Sequence, residues 1–494
     1  MAVLYLAVPN PRPDFTRFNC DDSESYLTLA WNLAHGRGYT QSTAPGVYVP
    51  HTTWPPGTPL LMMPAVLLSG NTLNWYAVKW TMCVVGLLGV TLTWLFLRDL
   101  TGKLWIADVG ALLLGLNPVY WDFSHQAMAE VPLTVSCIAA LYLVHRVWSR
   151  DRLRWSHAFW VGMVSGISML FKGHGAALIV VPLAYYVRPS RRGWLLRTGV
   201  IAYLCFLVGF AAPQASWMVR KQMVQATGFD GINHFRSYWA VNPNDATSRL
   251  VTVPELAERV LTNIRLYAIY RPAEQMVPGL WAGAAFEWKG SGWLALLLSS
   301  ALIGLAFRPR SDTLPVCLAA APILLLNLGY GFGGAARFWV PVTSLLTMAI
   351  VIGSTGSMTA RLGVLNACAA ILFLNLGVYI VHHERFPYYD GPGHWQQRAE
   401  LFQAIAERKD LRPVNVLTQN ARAFHLITGF PASAGDRSTL YDHVILDSRE
   451  TALPADAHIL ASKPPLVFAS LPRALSWSEI QRLTHPDTVD AATK

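Results

Sequence analysis

The sequence predicts a polytopic α-helical membrane protein of about 10–11 transmembrane helices, followed by a small C-terminal α/β extramembrane domain. Three observations predict it. Of the 494 residues, 53% are hydrophobic and only 14% charged. An ordinary soluble domain carries roughly 25% charged residues, so here the charges are too few to cover a water-facing surface. The apolar residues gather into runs that approach the ~20 residues needed to cross a hydrocarbon layer. From residue 382 the composition turns ordinary, with 12 Lys/Arg and 13 Asp/Glu in the last 113 residues.

The same composition excludes a secreted disulfide framework, a collagen-like chain and a disordered chain. The net charge is +10, but the basic residues sit in short loops between apolar runs, where they set orientation in the membrane. Nucleic acid is therefore not an expected partner, and membrane lipids are. The six cysteines are scattered without a C-x-x-C spacing, and Cys83, Cys137, Cys205, Cys317 and Cys368 lie in apolar segments. That pattern argues against a zinc site or disulfide scaffold.

In chain order, the opening MAVLYLAVP is apolar but only half a span long. It reads either as the remainder of a first transmembrane helix or as a short N-terminus. Pro59 to Gly70 is apolar, rich in proline and too short to span, so it reads as an interfacial or re-entrant helix. Ten segments read as spans: 76–97, 104–120, 130–146, 157–172, 174–188, 194–217, 291–307, 313–328, 338–354 and 362–381. The loops between them alternate. Arg98–Lys103, Arg146–Arg154, Arg188–Arg197, Arg308–Arg310 and Arg361 are short and basic; 10–75, 121–129, 218–290, 329–337 and the tail are longer and mixed. The positive-inside rule puts the basic set in the cytoplasm and the others outside.

A division into 1–381 and 382–494 follows, with external loops 10–75 and 218–290. Within 218–290, Thr252-Val-Pro-Glu255 forms a capping box. Val253, Leu256, Val260, Ile264 and Tyr267 follow at helical spacing, predicting an amphipathic surface helix. In the tail, Val414–Thr418, Val444–Leu446 and Leu466–Ala469 read as strands, and Asn420–Thr428 and Trp477–Leu483 as helices. No glycine-rich nucleotide motif and no catalytic triad stands among them.

Ionisable residues just outside the spans are the candidates for chemistry. Asp21, Asp22 and Glu24 crowd the start of a helix that runs into Tyr26; read locally, they serve equally as caps and dipole partners. Glu130 follows His125 at the outer end of a span, where a helix-end carboxylate is also ordinary. Lys172 and His174 lie in Phe171-Lys-Gly-His-Gly175, Arg220 and Lys221 end another span, and Arg337 sits in Arg337-Phe-Trp-Val-Pro341. Singly, each cation is a snorkelling side chain. Gathered on one side with acids, they point to a shared anion site, for which phosphate is the natural ligand.

The combination resembles the C-type membrane glycosyltransferases, and within them the branch of the protein O-mannosyltransferases and the lipid A aminoarabinose transferase. Asp22-x-x-x-Tyr26, Leu-Ala-x-Asn-Leu and Gly-Arg-Gly-Tyr39 resemble the first external loop of that family. His51-Thr-Thr-Trp54-Pro-Pro-Gly57 resembles its Pro-Pro-Gly segment, and Ser124–Glu130, Lys172, Trp217–Arg220 and Arg337–Pro341 recur in order. The resemblance covers most of 15–380.

The resemblance implies the C-type glycosyltransferase fold and transfer of a sugar from a polyprenyl-phosphate donor to a hydroxyl of a glycan, lipid or protein acceptor, with inversion, on the outer face of a bacterial inner membrane. Asp22 matches the catalytic acid, with Asp21 or Glu24 as its pair because position 23 is Ser. Glu130 matches a second acid, and Lys172, Arg220 and Arg337, with Lys221 beside them, match cations near the donor phosphate. Tyr26, His51, Trp54, His125 and His174 would line the sugar or acceptor. No cofactor is demanded by these residues; some relatives use a divalent metal ion, which the acidic cluster could hold. The alternatives are a transporter or flippase for lipid-linked intermediates, or a non-catalytic envelope partner. A transporter would carry mid-membrane charges and an internal repeat, and neither is evident in the sequence.

Overall fold

The computed structural model describes residues 21–43, 48–149, 153–186, 198–224, 234–243, 247–278, 292–306, 312–331, 336–353, 355, 358–382, 394–418, 421–433, 440–447, 457–463, 466–476 and 479–480. The N-terminal nonapeptide, the basic turns 188–197 and 308–310, and all but two residues of the expected Trp477–Leu483 helix lie outside them.

The helices run, in order, α1 Asp21–Ala34, α2 Gly57–Leu67, α3 Trp75–Thr101, α4 Leu104–Gly115, α5 Pro118–Phe123, α6 Glu130–Trp148, α7 Trp155–Phe171, α8 Leu183–Tyr186, α9 Thr198–Met223, α10 His234–Trp239, α11 Val253–Arg265, α12 Arg271–Met276, α13 Gly292–Ala306, α14 Leu314–Gly329, α15 Val340–Gly353, α16 Met358–His382, α17 His394–Ala406 and α18 Ala421–Thr428. The strands are β1 Val416–Leu417, β2 Ala432–Ser433, β3 Leu440–Asp447, β4 His458–Lys463 and β5 Leu466–Ser476.

Among the described residues, three helices are long and apolar enough to cross a membrane: Trp75–Thr101, Glu130–Trp148 and Gly199–Met223. An α-helix satisfies its backbone hydrogen bonds internally, which lets such predominantly apolar runs span. Two of the expected spans are not single α-helices. Segment 174–188 is a 3₁₀ stretch, Gly173–Val180, followed by the one-turn α8. Pro182, which lacks an N–H, stands between the two and prevents one continuous α ladder. Segment 104–120 breaks after Gly115, because Asn117 caps a new helix: its side chain accepts a 2.9 Å hydrogen bond from Tyr120 N–H, with Pro118 in the first turn.

The chain packs as two units. One contains residues 52–58 and 79–382; the other contains 21–51, 59–78 and 394–480. Packing thus groups residues 21–51 and 59–78 with the C-terminal residues, whereas hydropathy divides the chain at 381.

In the helical unit, α7 and α9 lie backbone to backbone. A Cβ on Gly162 would stand 2.1 Å from Phe206 O, one on Gly166 2.2 Å from Phe210 O, and one on Gly209 2.1 Å from Phe159 O. Small residues four apart permit this approach, and it fixes the end of α7 that leads into Lys172. The predicted α11 forms with its capping box, as Thr252 N–H and Oγ1 donate to Glu255 at 2.8 and 2.9 Å. Its docked face differs from the apolar stripe read in the sequence. Tyr267 is buried, but Val253 and Ile264 are 81% and 43% exposed. Instead Asn263 Nδ2 donates to Asn327 O, Leu328 O and Tyr330 O at 3.3, 2.8 and 3.2 Å, and Arg259 donates to Gly329 O and Ala240 O. The last carbonyls of a helix have no partner within it, so α14 draws the polar side of α11 onto its end.

In the other unit the strands order β2-β1-β3-β5-β4. β1 is parallel to β2 and β3, while β5 is antiparallel to β3 and β4. Helix α18 is the crossover between the parallel pair β1 and β2, as parallel strands require. Tyr441, Val444, Ala469, Leu475 and Ile480 form a buried cluster on the sheet. The strand and helix expectations at 414–418, 420–428, 444–446 and 466–469 coincide with β1, α18, β3 and β5. Helix α17 and strands β2 and β4 were not foreseen.

Candidate functional site

Glu130 is the first residue of α6 and 1% exposed. Lys172 follows the last residue of α7 in an extended conformation, φ −160° and ψ 144°, which turns the chain and its side chain toward Glu130. Lys172 Nζ donates to Glu130 Oε1 at 2.6 Å. The same ammonium lies 4.3 Å from the centroid of the Phe338 ring, and the Arg337 guanidinium lies 5.1 Å from that ring. Arg337 comes from the 3₁₀ turn Ala336–Trp339 and adds to the positive potential at Glu130. The carboxylate's other oxygen, Oε2, is buried and accepts no hydrogen bond among the described residues. A buried carboxylate oxygen is costly to leave so.

His174 completes this cluster. Its Nε2 lies 2.6 Å from Asn327 Oδ1, and its ring stacks on Phe338 at 5.7 Å. Gly175 lets the 3₁₀ turn fold against α7, for a Cβ there would meet Ser168 Oγ at 2.3 Å. His125, five residues before Glu130, is buried; its Nδ1 lies 2.7 Å from Trp121 O and its ring rests on the Trp121 indole. Beside the cluster is a cavity of about 250 Å³ whose lining includes Tyr267, Cys317, Leu328, Trp339, Val342 and Leu345. Trp339 is the neighbour of Phe338, and the Tyr267 ring packs edge-on against it at 5.0 Å. The cavity wall is almost wholly apolar.

Arg220 and Lys221 stand in the last turn of α9, and the Arg220 guanidinium lies 5.1 Å from its own helix's Trp217 ring. Trp54 is half-buried in the same helical unit.

The remaining predicted residues belong to the other unit. Asp21 opens α1, Asp22 is half-buried, and Glu24 and Tyr26 are 2% exposed. Carboxylates at a helix N-terminus are favoured by its dipole. The Gly-Arg-Gly motif has a backbone reason: Gly36 and Gly38 have φ of 69° and 77°, which side chains disfavour. That turn brings Tyr39 back beside His51, whose N–H donates to Tyr39 O at 3.0 Å and whose ring is fully buried. Asn32 holds the return, donating to Thr40 O and Ser42 O at 2.7 and 3.0 Å.

Among the described residues, no group of three or more His, Cys, Asp or Glu side chains comes together as a metal ion requires.

Sequence reading missed Phe338 and Asn327, which order the cations. It also missed Lys79, 1% exposed near the start of α3; a lysine inside an otherwise apolar run was the available signal.

Residues 53–217, about a third of the chain, match the family model of dolichyl-phosphate-mannose-protein mannosyltransferases. No curated protein matches the chain in sequence. Among solved structures, an oligosaccharyltransferase of Archaeoglobus fulgidus in complex with Zn and sulfate is similar, at 14% identity and TM-score 0.51, over 91% of this chain and 67% of that one. ArnT from Cupriavidus metallidurans bound to undecaprenyl phosphate aligns at 14% identity and TM-score 0.48, over 95% of this chain and 96% of that one. The family-model match bears out the resemblance over Thr53–Trp217, and the likeness to the oligosaccharyltransferase is one of fold. The chain is a membrane protein that carries the mannosyltransferase family model over the segment from Thr53 to Trp217.

Proposed function

We propose that the protein is an inverting glycosyltransferase that takes its sugar from a polyprenyl-phosphate donor on the outer side of a bacterial inner membrane, with the C-terminal domain on that side. The observation that carries this reading is the Glu130–Lys172–Arg337 cluster around Phe338, set beside an apolar cavity of about 250 Å³. Cations for a phosphate and an apolar space for an isoprenoid are the two things such a donor needs together. A transporter does not require a buried, oriented carboxylate next to them.

In this reading the donor phosphate rests against Lys172 and Arg337, with Arg220 and Lys221 as further cations. Their charge offsets the negative charge that builds on the phosphate oxygen as the bond to the anomeric carbon breaks. A phosphate ester leaves without a strong general acid. Asp22 takes the proton of the acceptor hydroxyl as its oxygen forms the new bond to that carbon from the opposite face, which inverts the configuration. Glu130 holds Lys172 in place and offers Oε2 to a sugar hydroxyl. Asp21, Glu24, Tyr26, His51, Trp54, His125 and His174 serve sugar and acceptor binding.

The test is sugar release from a panel of labelled undecaprenyl-phosphate monosaccharides, in membranes carrying the wild type or Asp22→Asn, with cell-envelope extract as acceptor. Turnover of one donor by the wild type and none by Asp22→Asn is expected. Equal turnover by both would remove Asp22 from the chemistry. Movement of intact donor across the bilayer without release would establish a flippase instead.

A further inference from the structure

We propose that the C-terminal α/β domain is a positioning element for the acidic turn of the first loop, and that Arg422 is the residue through which it acts. The inference rests on the reading of Asp22 as the acceptor's base. It gives that domain a task that neither its sequence nor the family match supplies.

Arg422 stands in the first turn of α18, inside the C-terminal domain. Its Nη1 donates to Ser25 Oγ at 2.9 Å and also to Gln41 Oε1. Ser25 is one helical turn beyond Asp22 on α1, and residues three apart share a helix face. Gln41 belongs to the stretch that returns after the Gly-Arg-Gly turn. One guanidinium nitrogen therefore ties the acidic start of α1 to the end of the loop that α1 begins. An arginine is suited to this, since it stays charged and its planar fork holds a fixed direction.

The tie is one of several along the same seam. Thr43 Oγ1 donates to Ala432 O, and Leu73 N–H donates to Leu426 O at 3.1 Å. Gly429, at φ 74°, leaves so little room that a Cβ would stand 2.8 Å from Asn71 O. The seam would hold the loop without Arg422. What Arg422 adds is a polar side-chain tie from the domain to Ser25, one turn along the helix from Asp22. Aiming a carboxylate at a hydroxyl proton is a matter of about an ångström, and a misplacement of that size can lower a rate by about 10²-fold.

The experiment measures kcat and donor KM for release of labelled sugar from undecaprenyl phosphate by the full chain, using the monosaccharide the wild type turns over. Arg422→Ala is expected to lower kcat by about 10-fold or more while donor KM changes less than about two-fold, since a misaimed base acts in the transition state and not on donor binding. Arg422→Lys, which keeps a cationic donor without the planar fork, is expected to recover part of the loss in kcat with donor KM still unchanged. Ser25→Ala and Gln41→Ala approach the same joint from the other side and keep the test open if Arg422→Ala is poorly folded.

Docking is read without turnover by a short thiol cross-linker between Ser25→Cys and Arg422→Cys in a Cys20→Ser background, and a cross-link is expected. No cross-link, or wild-type kcat in folded Arg422→Ala, overturns the inference; so does a rise in donor KM at unchanged kcat. Asp22→Asn separates the two levels. If it is inactive while Arg422→Ala is fully active, the positioning role fails and the base stands. If it turns over normally, the base assignment itself fails.

Discussion

Replacing Lys172 with methionine keeps an aliphatic stem against Phe338 and removes the charge that faces Glu130. The side chains of Lys172 and Glu130 are 18% and 2% exposed, with Nζ and Oε1 2.6 Å apart. Charges roughly 4 Å apart attract by about 4 kcal/mol at an effective dielectric of about 20. Removing one member of a buried pair costs ~3–5 kcal/mol, because the other charge is left uncompensated. Arg337 remains as a second cation acting on Glu130, so the expected loss for Lys172→Met falls at the lower end, about 3 kcal/mol. Glu130→Gln strands the ammonium instead and should cost a similar amount. The double variant leaves neither charge and should lose no more than the worse single, a coupling of about 3 kcal/mol.

The assay is denaturant unfolding of the detergent-solubilised full chain for all four members of the cycle, with donor turnover measured on the same samples. Lys172→Met should also lower kcat/KM by about 10²-fold if its ammonium faces the donor phosphate. Stability losses that simply add in the double variant would refute the pairing argument, since independent side chains do not share a penalty.

Gly166→Val should weaken the α7–α9 contact by at least ~1–3 kcal/mol, because its Cβ would lie 2.2 Å from Phe210 O; an unchanged melting temperature would count against that backbone approach. Asn263→Ala should cost about 1–3 kcal/mol, since it strips Asn327, Leu328 and Tyr330 carbonyls of a donor, and Asn263→Leu should be no better. The C-terminal unit should lose stability as pH falls. Burial holds the buried His425 below its ordinary value of 6.5, reinforced by Arg37 and His35 and only partly opposed by its hydrogen bond with Phe430 O. The unfolded chain therefore takes up the proton first, so the stability present above pH 6.5 drains away below it. Hydrogen exchange of β1 and β3 at pH 5.5 and 7.5 reads this, and His425→Gln should flatten the difference. Tags at residue 151 and residue 494 should report opposite sides of the membrane; the same side for both would overturn the orientation.

Local elements were legible where local chemistry makes them. The capping box at Thr252–Glu255, the apolar runs of α3, α6 and α9, and the short apolar runs of β3 and β5 are properties of neighbouring residues, and they appear where the sequence puts them. The failures share a cause. Segment 174–188 has the hydropathy of a span, but its proline and its close fit against α7 select a 3₁₀ turn. Helix α11 has a readable apolar stripe, yet it docks by Arg259 and Asn263, because what it meets is a helix end with unpaired carbonyls. Periodicity reports what a helix can bury and says nothing of what it will be offered.

The candidate site divides in the same way. The residue types needed for lipid-phosphate chemistry, Asp22, Glu130, Lys172 and Arg337 among them, are legible because charges beside apolar runs are costly and therefore few. Their pairing is not legible. Lys172 could have served any of the nearby acids; the extended residue after α7 and the Phe338 ring direct it to Glu130. Nor does any local pattern tie Ser25 to Arg422, 397 residues away. Composition and hydropathy by themselves determined a membrane-embedded helical chain with an ordinary C-terminal domain. Tertiary structure alone decided which carboxylate meets which cation and that the first loop packs with the chain's end. Such contacts depend on how distant segments close on one another, and the energy that chooses among them exists only once they have met.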